Sequence, residues 1–197
     1  MLKPKLIVIA GPNGAGKTSV TGKLLSHDWV DGCVNINPDV IARDVYGDWN
    51  SPDAVLKAAR KAAQMREDCL KKRESLLFET VLSAPDKIDY IFRAKQAGYF
   101  CRLFFVGTDS PTINAARIAQ RVIEGGHDVP ISKIVSRYGK SIANCSVAAA
   151  LVDRAYVYDN SVDFADPKLL FRASDGKIEK TYGEMNDWAK EILRRLT

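Results

Sequence analysis

Histidine is nearly absent from this 197-residue chain, with only two copies, and cysteine is sparse, with four. Cys33, Cys69, Cys101 and Cys145 are scattered and show no C-x-x-C spacing. That argues against a zinc site or a disulfide framework and for free thiols in a reducing cytosol. No apolar run approaches the ~18 residues that a membrane helix needs. The first apolar segment begins so close to Met1 that a signal peptide has no room, so a cytoplasmic location is expected. Internal repeats, low-complexity segments and long linkers are also missing. No strand-like segment ends in the paired Asp-Glu of a motor ATPase, which argues against a hydrolytic machine and for transfer to a bound acceptor. A basic stripe is lacking too: Lys71-Lys72-Arg73 and Arg194-Arg195 are short, and the net charge of +5 is mild. A nucleic-acid partner is therefore not expected, although the charge suits an anionic nucleotide.

What is present is sharper. Gly11, Pro12, Asn13, Gly14, Ala15, Gly16, Lys17 and Thr18 match the G-x-x-x-x-G-K-[ST] pattern of a phosphate-binding P-loop, and Ser19 follows. Lys5 to Ala10 reads as a buried strand before it, and Thr18 to Ser26 as the helix after it. Glycines let the backbone approach a phosphate, and the helix start adds unpaired N–H groups and a favourable dipole. Lys17 is expected to reach the β- and γ-phosphates of ATP, and the Thr18 hydroxyl to ligate Mg²⁺.

The length suits one domain, 1–197. Strand and helix patterns alternate, predicting a parallel sheet covered by helices. Strands are expected at 33–37, 76–79, 99–106 and 155–158. Helices are expected at 38–46, 52–73, 85–96, 111–123 and from 130 to about 147. In the helix at 52–73, Val55, Ala59, Ala62, Ala63, Met65 and Leu70 form the predicted core stripe. The tail (166–197) reads as a hairpin around Asp175-Gly176 and a last helix. The fold class is α/β: a three-layer P-loop kinase-like domain with a mainly parallel five-stranded sheet and a small C-terminal hairpin plus helix.

Asp39 falls just past a short strand, at the edge where open α/β sheets bind ligands. It can orient an acceptor hydroxyl and take its proton, or simply complement the helix dipole. Glu79 ends an apolar strand and can bind substrate or face solvent. Arg117 and Arg121 share a helix face, Arg137 and Lys140 lie on the next helix, and the Gly125-Gly126-His127 loop joins them. Cations beside such a loop suit a phosphoryl-transfer lid over about 117–141, with His127 a lid contact or a plain loop residue.

The P-loop, VNINPD at 34–39, LLFETVLS at 76–83, RIAQRVIEGGHDVPISKIVSRYGKS at 117–141 and YDNS at 158–161 together resemble the zeta toxin family of P-loop kinases. The resemblance covers roughly residues 5–161. It implies ATP-dependent phosphorylation of a hydroxyl on a small, nucleotide-linked acceptor such as a UDP-amino sugar, with Mg²⁺ as cofactor and an antitoxin protein as a candidate partner. It implies that Asp39 is the catalytic base, that Glu79 helps bind the acceptor, and that Arg121 and Arg137 are lid arginines, with Arg117 an alternative to Arg121. Thr80 and Ser83 join the acceptor set. The chain departs at Val81, where the family has threonine; Ser83 is the candidate to compensate. Lys140 stands where arginine is frequent. Two rivals remain: a polynucleotide-end kinase, which calls for a basic stripe with interleaved aromatics, and a nucleotide switch that transfers nothing.

Overall fold

The computed structural model describes residues 3–47, 51–126 and 128–196. His127 therefore lies outside the described residues. Strand β1 (Lys5–Ala10) is buried almost throughout and lies inside the sheet, with a strand on each side. The P-loop follows, and helix α1 (Lys17–Leu25) starts one residue earlier than the sequence suggested. A 3-10 turn, Asp28–Val30, leads to β2 (Val34–Ile36). Helix α2 (Pro38–Tyr46) opens with proline at its first turn, and the Asn37 side chain accepts from the backbone N–H groups of Asp39 and Val40. Helix α3 (Pro52–Lys72) is capped by Ser51 in the same way.

Then come β3 (Leu76–Thr80), α4 (Asp86–Gln96), β4 (Phe100–Gly107), α5 (Pro111–Ile123) and the long α6 (Ile131–Leu151). The chain closes with β5 (Arg154–Asp159), β6 (Lys168–Ser174), β7 (Lys177–Thr181) and α7 (Asp187–Leu193). The strands lie in the order β2-β3-β1-β4-β5-β6-β7. The first five are parallel, as expected. The hairpin is not a separate appendage: β6 pairs antiparallel with β5, and β7 with β6, so the sheet has seven strands rather than five. Asp175 and Gly176, both at positive φ, make the tight turn between β6 and β7.

The two faces of the sheet are covered unequally. Apolar residues of α2, α3, α4, α6 and α7 pack on one face with Leu6, Val8 and Phe105. On the other face Ile7, Ile9 and Phe104 meet only Val20 and Leu24 of α1, Ala15 of the P-loop, and partly buried residues such as Trp29 and Tyr156. A third, small cluster of Ile118, Val129 and Ile134 joins α5 to the start of α6.

The stripe expected on α3 holds at Ala62, Met65 and Leu70, which lie in or against the main core, and needs correction at its start. Its buried residues are Ala54, Ala58, Ala62, Arg66 and Cys69, while Ala59 is exposed. Small alanines at a four-residue interval let the helix lie close on the sheet side. The larger Val55 is turned toward the cleft described below. All four cysteines are free thiols. Among the described residues no helix is long and apolar enough to cross a membrane.

Candidate functional site

The carboxyl ends of β1, β2 and β3 open into a cleft of about 800 Å³. Its floor is the P-loop. Gly14 sits at φ +77°, where a Cβ would come within 2.5 Å of the Asn114 carbonyl oxygen. Gly16 sits at φ +86° against the Asn160 side chain. Both positions need glycine for their conformation and for the close approach. The loop is held from outside by two asparagines. Asn114, fully buried, donates to the Asn13 carbonyl (2.7 Å), and Asn160 donates to the Ala15 carbonyl (2.9 Å). Ala15 is buried, and the carbonyls of Gly11 and Pro12 turn inward to accept from the Lys17 ammonium at 2.9 and 3.1 Å.

Lys17 lines the cleft with Thr18, Asn37, Asp39, Glu79 and Thr80. Desolvation inside the loop pulls the Lys17 ammonium down to about 8, against the opposing pull of Glu79 and then Asp39, while Arg121 lowers it further. That pattern shows the lysine, both carboxylates and the arginine sharing one electrostatic environment. Glu79 is held in place: the Thr21 hydroxyl donates to its Oε1 at 2.8 Å and the Asn37 amide approaches the same oxygen at 3.4 Å. Asp39 stands in the first turn of α2, is exposed, and accepts no fixed partner among the described residues.

The opposite wall is built by α5 and α6. Arg117, Arg121, Lys133 and Arg137 all line the cleft. They are not equivalent. Arg117 is tied down, with its Nε 2.7 Å from Asp163 Oδ1 and its Nη1 2.8 Å from the Asn160 carbonyl. Its guanidinium therefore joins α5 to the segment after β5. Arg121, one helical turn on, is exposed. Lys140 lies outside the cleft lining, as do Ser19, exposed on α1, and Ser83. The loop carrying Ser83 is set by its neighbours: Leu82 takes φ +57°, and α6 clamps the backbone through Ser141 on the Val81 carbonyl (2.6 Å) and Asn144 on the Leu82 carbonyl (2.8 Å). Val81 itself faces the cleft, continuing an apolar wall of Pro52, Val55, Leu56 and Ala59.

Sequence reasoning did not single out Thr21, Asn37, Asn114, Asn160 or Lys133. Asn37 carried a readable mark, since an asparagine before Pro-Asp at a helix start is a capping pattern. The others depend on contacts far apart in the chain.

The Thr18 hydroxyl and the Glu79 carboxylate, with Asp39 also in the lining, are hard oxygens of the kind Mg²⁺ takes. Among the described residues no group of three or more His, Cys, Asp or Glu forms a metal cluster.

The family model for zeta toxin matches residues 1–164. An uncharacterized protein of Haemophilus influenzae is 30% identical over 138 residues, covering 70% of this chain and 95% of its own. Among solved structures, AvrRxo1-ORF1:-ORF2 with ATP superposes with a TM-score of 0.71 at 18% identity, over 99% of this chain. The chain spans 64% of that protein's length. The PezAT chromosomal toxin–antitoxin system of Streptococcus pneumoniae gives 0.63 at 18% identity, covering 98% of this chain and 84% of its own. The Pnkp1/Rnl/Hen1 RNA repair complex gives 0.55 at 17% identity over 71% of this chain and 44% of its own. At these identities the structural likeness establishes a shared P-loop kinase fold.

Proposed function

Because the chain belongs to the zeta toxin family, we propose that it transfers the γ-phosphoryl group of ATP to a hydroxyl of a small acceptor. The observation that carries this reading is the convergence of Lys17, Asp39, Glu79 and Arg121 on one cleft. The P-loop N–H groups and Lys17 hold the β- and γ-phosphates. The Thr18 hydroxyl would hold Mg²⁺, which would supply positive charge against the phosphates. Asp39 orients the acceptor hydroxyl and takes its proton as the oxygen attacks the γ-phosphorus in line with the departing ADP. Glu79, fixed by Thr21, and Thr80 orient the acceptor. Arg121 and Arg137 neutralise the equatorial oxygens as the phosphoryl group moves. Arg117 is a structural strut in this reading.

The acceptor end of the cleft combines two characters. Asp39 and Glu79 suit hydroxyls, and the wall of Val55, Leu56, Ala59 and Val81 suits an apolar or planar surface. A nucleotide-linked amino sugar, such as a UDP-sugar, has both, and it heads the set of acceptors to try. PezAT is a toxin–antitoxin system, so we further propose an antitoxin-type partner for this chain. The test is transfer of labelled phosphate from ATP to UDP-amino sugars and to a fractionated metabolite extract. Transfer is expected with the wild type and lost in Asp39→Asn. Failure of the wild type to label any acceptor would overturn the kinase reading in favour of a nucleotide-binding switch.

A further inference from the structure

On the sheet face that carries α1, Tyr156 and Tyr158 of β5 are partly buried against the α1 cluster, while Arg172 of β6 and the whole of β7 are exposed, and the residues there are not those of an idle solvated surface. Ala155, Val157, Phe171 and Ala173 point into the main core. Their alternates point the other way. Register places Arg102 of β4 directly beside Arg154 of β5. In the next row Tyr156 lies beside Arg172, and Arg172 beside Lys180. Like charges directly opposite across a sheet destabilise it, and this face has two such pairs in neighbouring rows. Among the described residues the only carboxylate paired with any of the four cations is Glu179, 3.1 Å from Arg172 Nε. Arg102 has no ion pair there, and its buried Nε has no hydrogen-bond partner. Its guanidinium is sandwiched between the rings of Trp29 (4.9 Å) and Phe100 (4.5 Å). Tyr156 lies flat on Phe104, with centroids 4.8 Å apart and planes 7° apart, and Trp29 is 5.7 Å away.

We propose that this face binds single-stranded nucleic acid, preferentially RNA or DNA with unpaired bases, at a site distinct from the kinase cleft. The cations form two rows about 6.7 Å apart, the two-residue repeat of a strand. An extended sugar–phosphate chain crossing those rows relieves both like-charge pairs. Trp29, packed beside Arg102 and His27, and Tyr156, stacked on Phe104, are each part-exposed, and that remaining ring surface is what unpaired bases would stack on, which a duplex hides. An acidic protein segment would answer the charge but leave the rings unused.

The test uses a labelled single-stranded RNA of about 12 nucleotides, within the site sizes of single-strand binders. Saturable binding at physiological salt is expected, with quenching of Trp29 fluorescence as bases stack. Trp29→Phe assigns that signal. Arg172→Glu with Lys180→Glu, both at exposed positions, should weaken binding on the order of tenfold and flatten the logarithmic salt dependence by about 1.4, two phosphates' worth. The same variant should melt like wild type and bind ATP normally. Lys17→Ala should still bind the RNA. The proposal is overturned if wild type shows no saturable binding, or if the double variant binds as wild type does. It is equally overturned if Lys17→Ala abolishes RNA binding, or if polyglutamate competes as well as RNA with no quenching.

Discussion

Raising the pH from 7 to 9 should weaken ATP binding, because Lys17 titrates inside that window. Its ammonium sits among loop carbonyls and titrates near 8 in the nucleotide-free protein. At that value about nine lysines in ten are charged at pH 7, about half at pH 8 and about one in ten at pH 9. If the phosphates bind the charged form, the association constant falls about tenfold across the window, close to 1.4 kcal/mol. Bound phosphate stabilises the ammonium and raises its pKa again, so binding at pH 8 should take up roughly half a proton per ATP. Calorimetry in two buffers of different ionisation enthalpy reads that uptake directly. The stability of the free protein runs the other way. The folded pKa lies below the ordinary lysine value, so between pH 8 and about 10.5 the unfolded chain holds more protons. Lys17 therefore contributes an increase in stability as pH rises through that interval. Lys17→Ala should remove both effects and most of the affinity. Flat ATP affinity from pH 7 to 9, with no proton uptake at pH 8, would refute the buried-ammonium account.

Three further outcomes follow from the cleft. Asp39→Asn should bind Mg-ATP nearly as wild type does, yet lose acceptor phosphorylation by about 10²- to 10⁴-fold, the span of general-base loss; unchanged transfer would shift the base to Glu79. Arg121→Ala and Arg137→Ala should each lower kcat on the order of 10²-fold with little change in ATP binding, whereas Arg117→Ala, which breaks the Asp163 strut, should show mainly as a lowered melting temperature. Thr21→Val keeps the shape but removes the donor to Glu79, so it should raise the acceptor KM and cost about 1–3 kcal/mol in denaturant melts; wild-type behaviour in both would show that Glu79 needs no anchor.

What could be read from the chain was what local pattern carries. The P-loop, the proline-led starts of α2, α3 and α5, and the strand-end positions of Asp39 and Glu79 are written in consecutive residues. The structure brings Lys17, Asp39, Glu79, Arg121 and Arg137 to one cleft. What escaped depends on distance. Asn114 reaches the loop across 101 residues and Asn160 across 145, and no spacing rule announces such a buttress. The first turns of the α3 stripe were misplaced, though Ala62, Met65 and Leu70 were not, because hydropathy favours Val55 over Ala54 while close helix–sheet packing favours the smaller residue. The basic face was invisible for the same reason as the asparagines. Its cations, Arg102, Arg154, Arg172 and Lys180, come from four different strands, and only the register of the sheet makes them neighbours.

The division of α6 connects this packing to the chemistry. Its second half, with Ile142, Cys145, Ala148 and Ala149, is locked into the main core. Its first half carries Lys133 and Arg137; it is held by Ile134, in the small cluster with Ile118 and Val129, and then by Tyr138, which packs on the main core and donates to the Thr108 carbonyl. A cluster of that size secures less than the main core does, so the first turns of α6, before Tyr138, are expected to open more readily than its second half. The P-loop is the reverse: its glycines are wedged against Asn114 and Asn160, and its lysine is already folded into the loop. One wall of the cleft is therefore braced at its glycines, and the other is expected to yield first, a difference that hydrogen exchange along α6 reads. Phosphoryl transfer calls for that asymmetry, since the phosphates need a preorganised cradle while water must be shut out only after both substrates have entered.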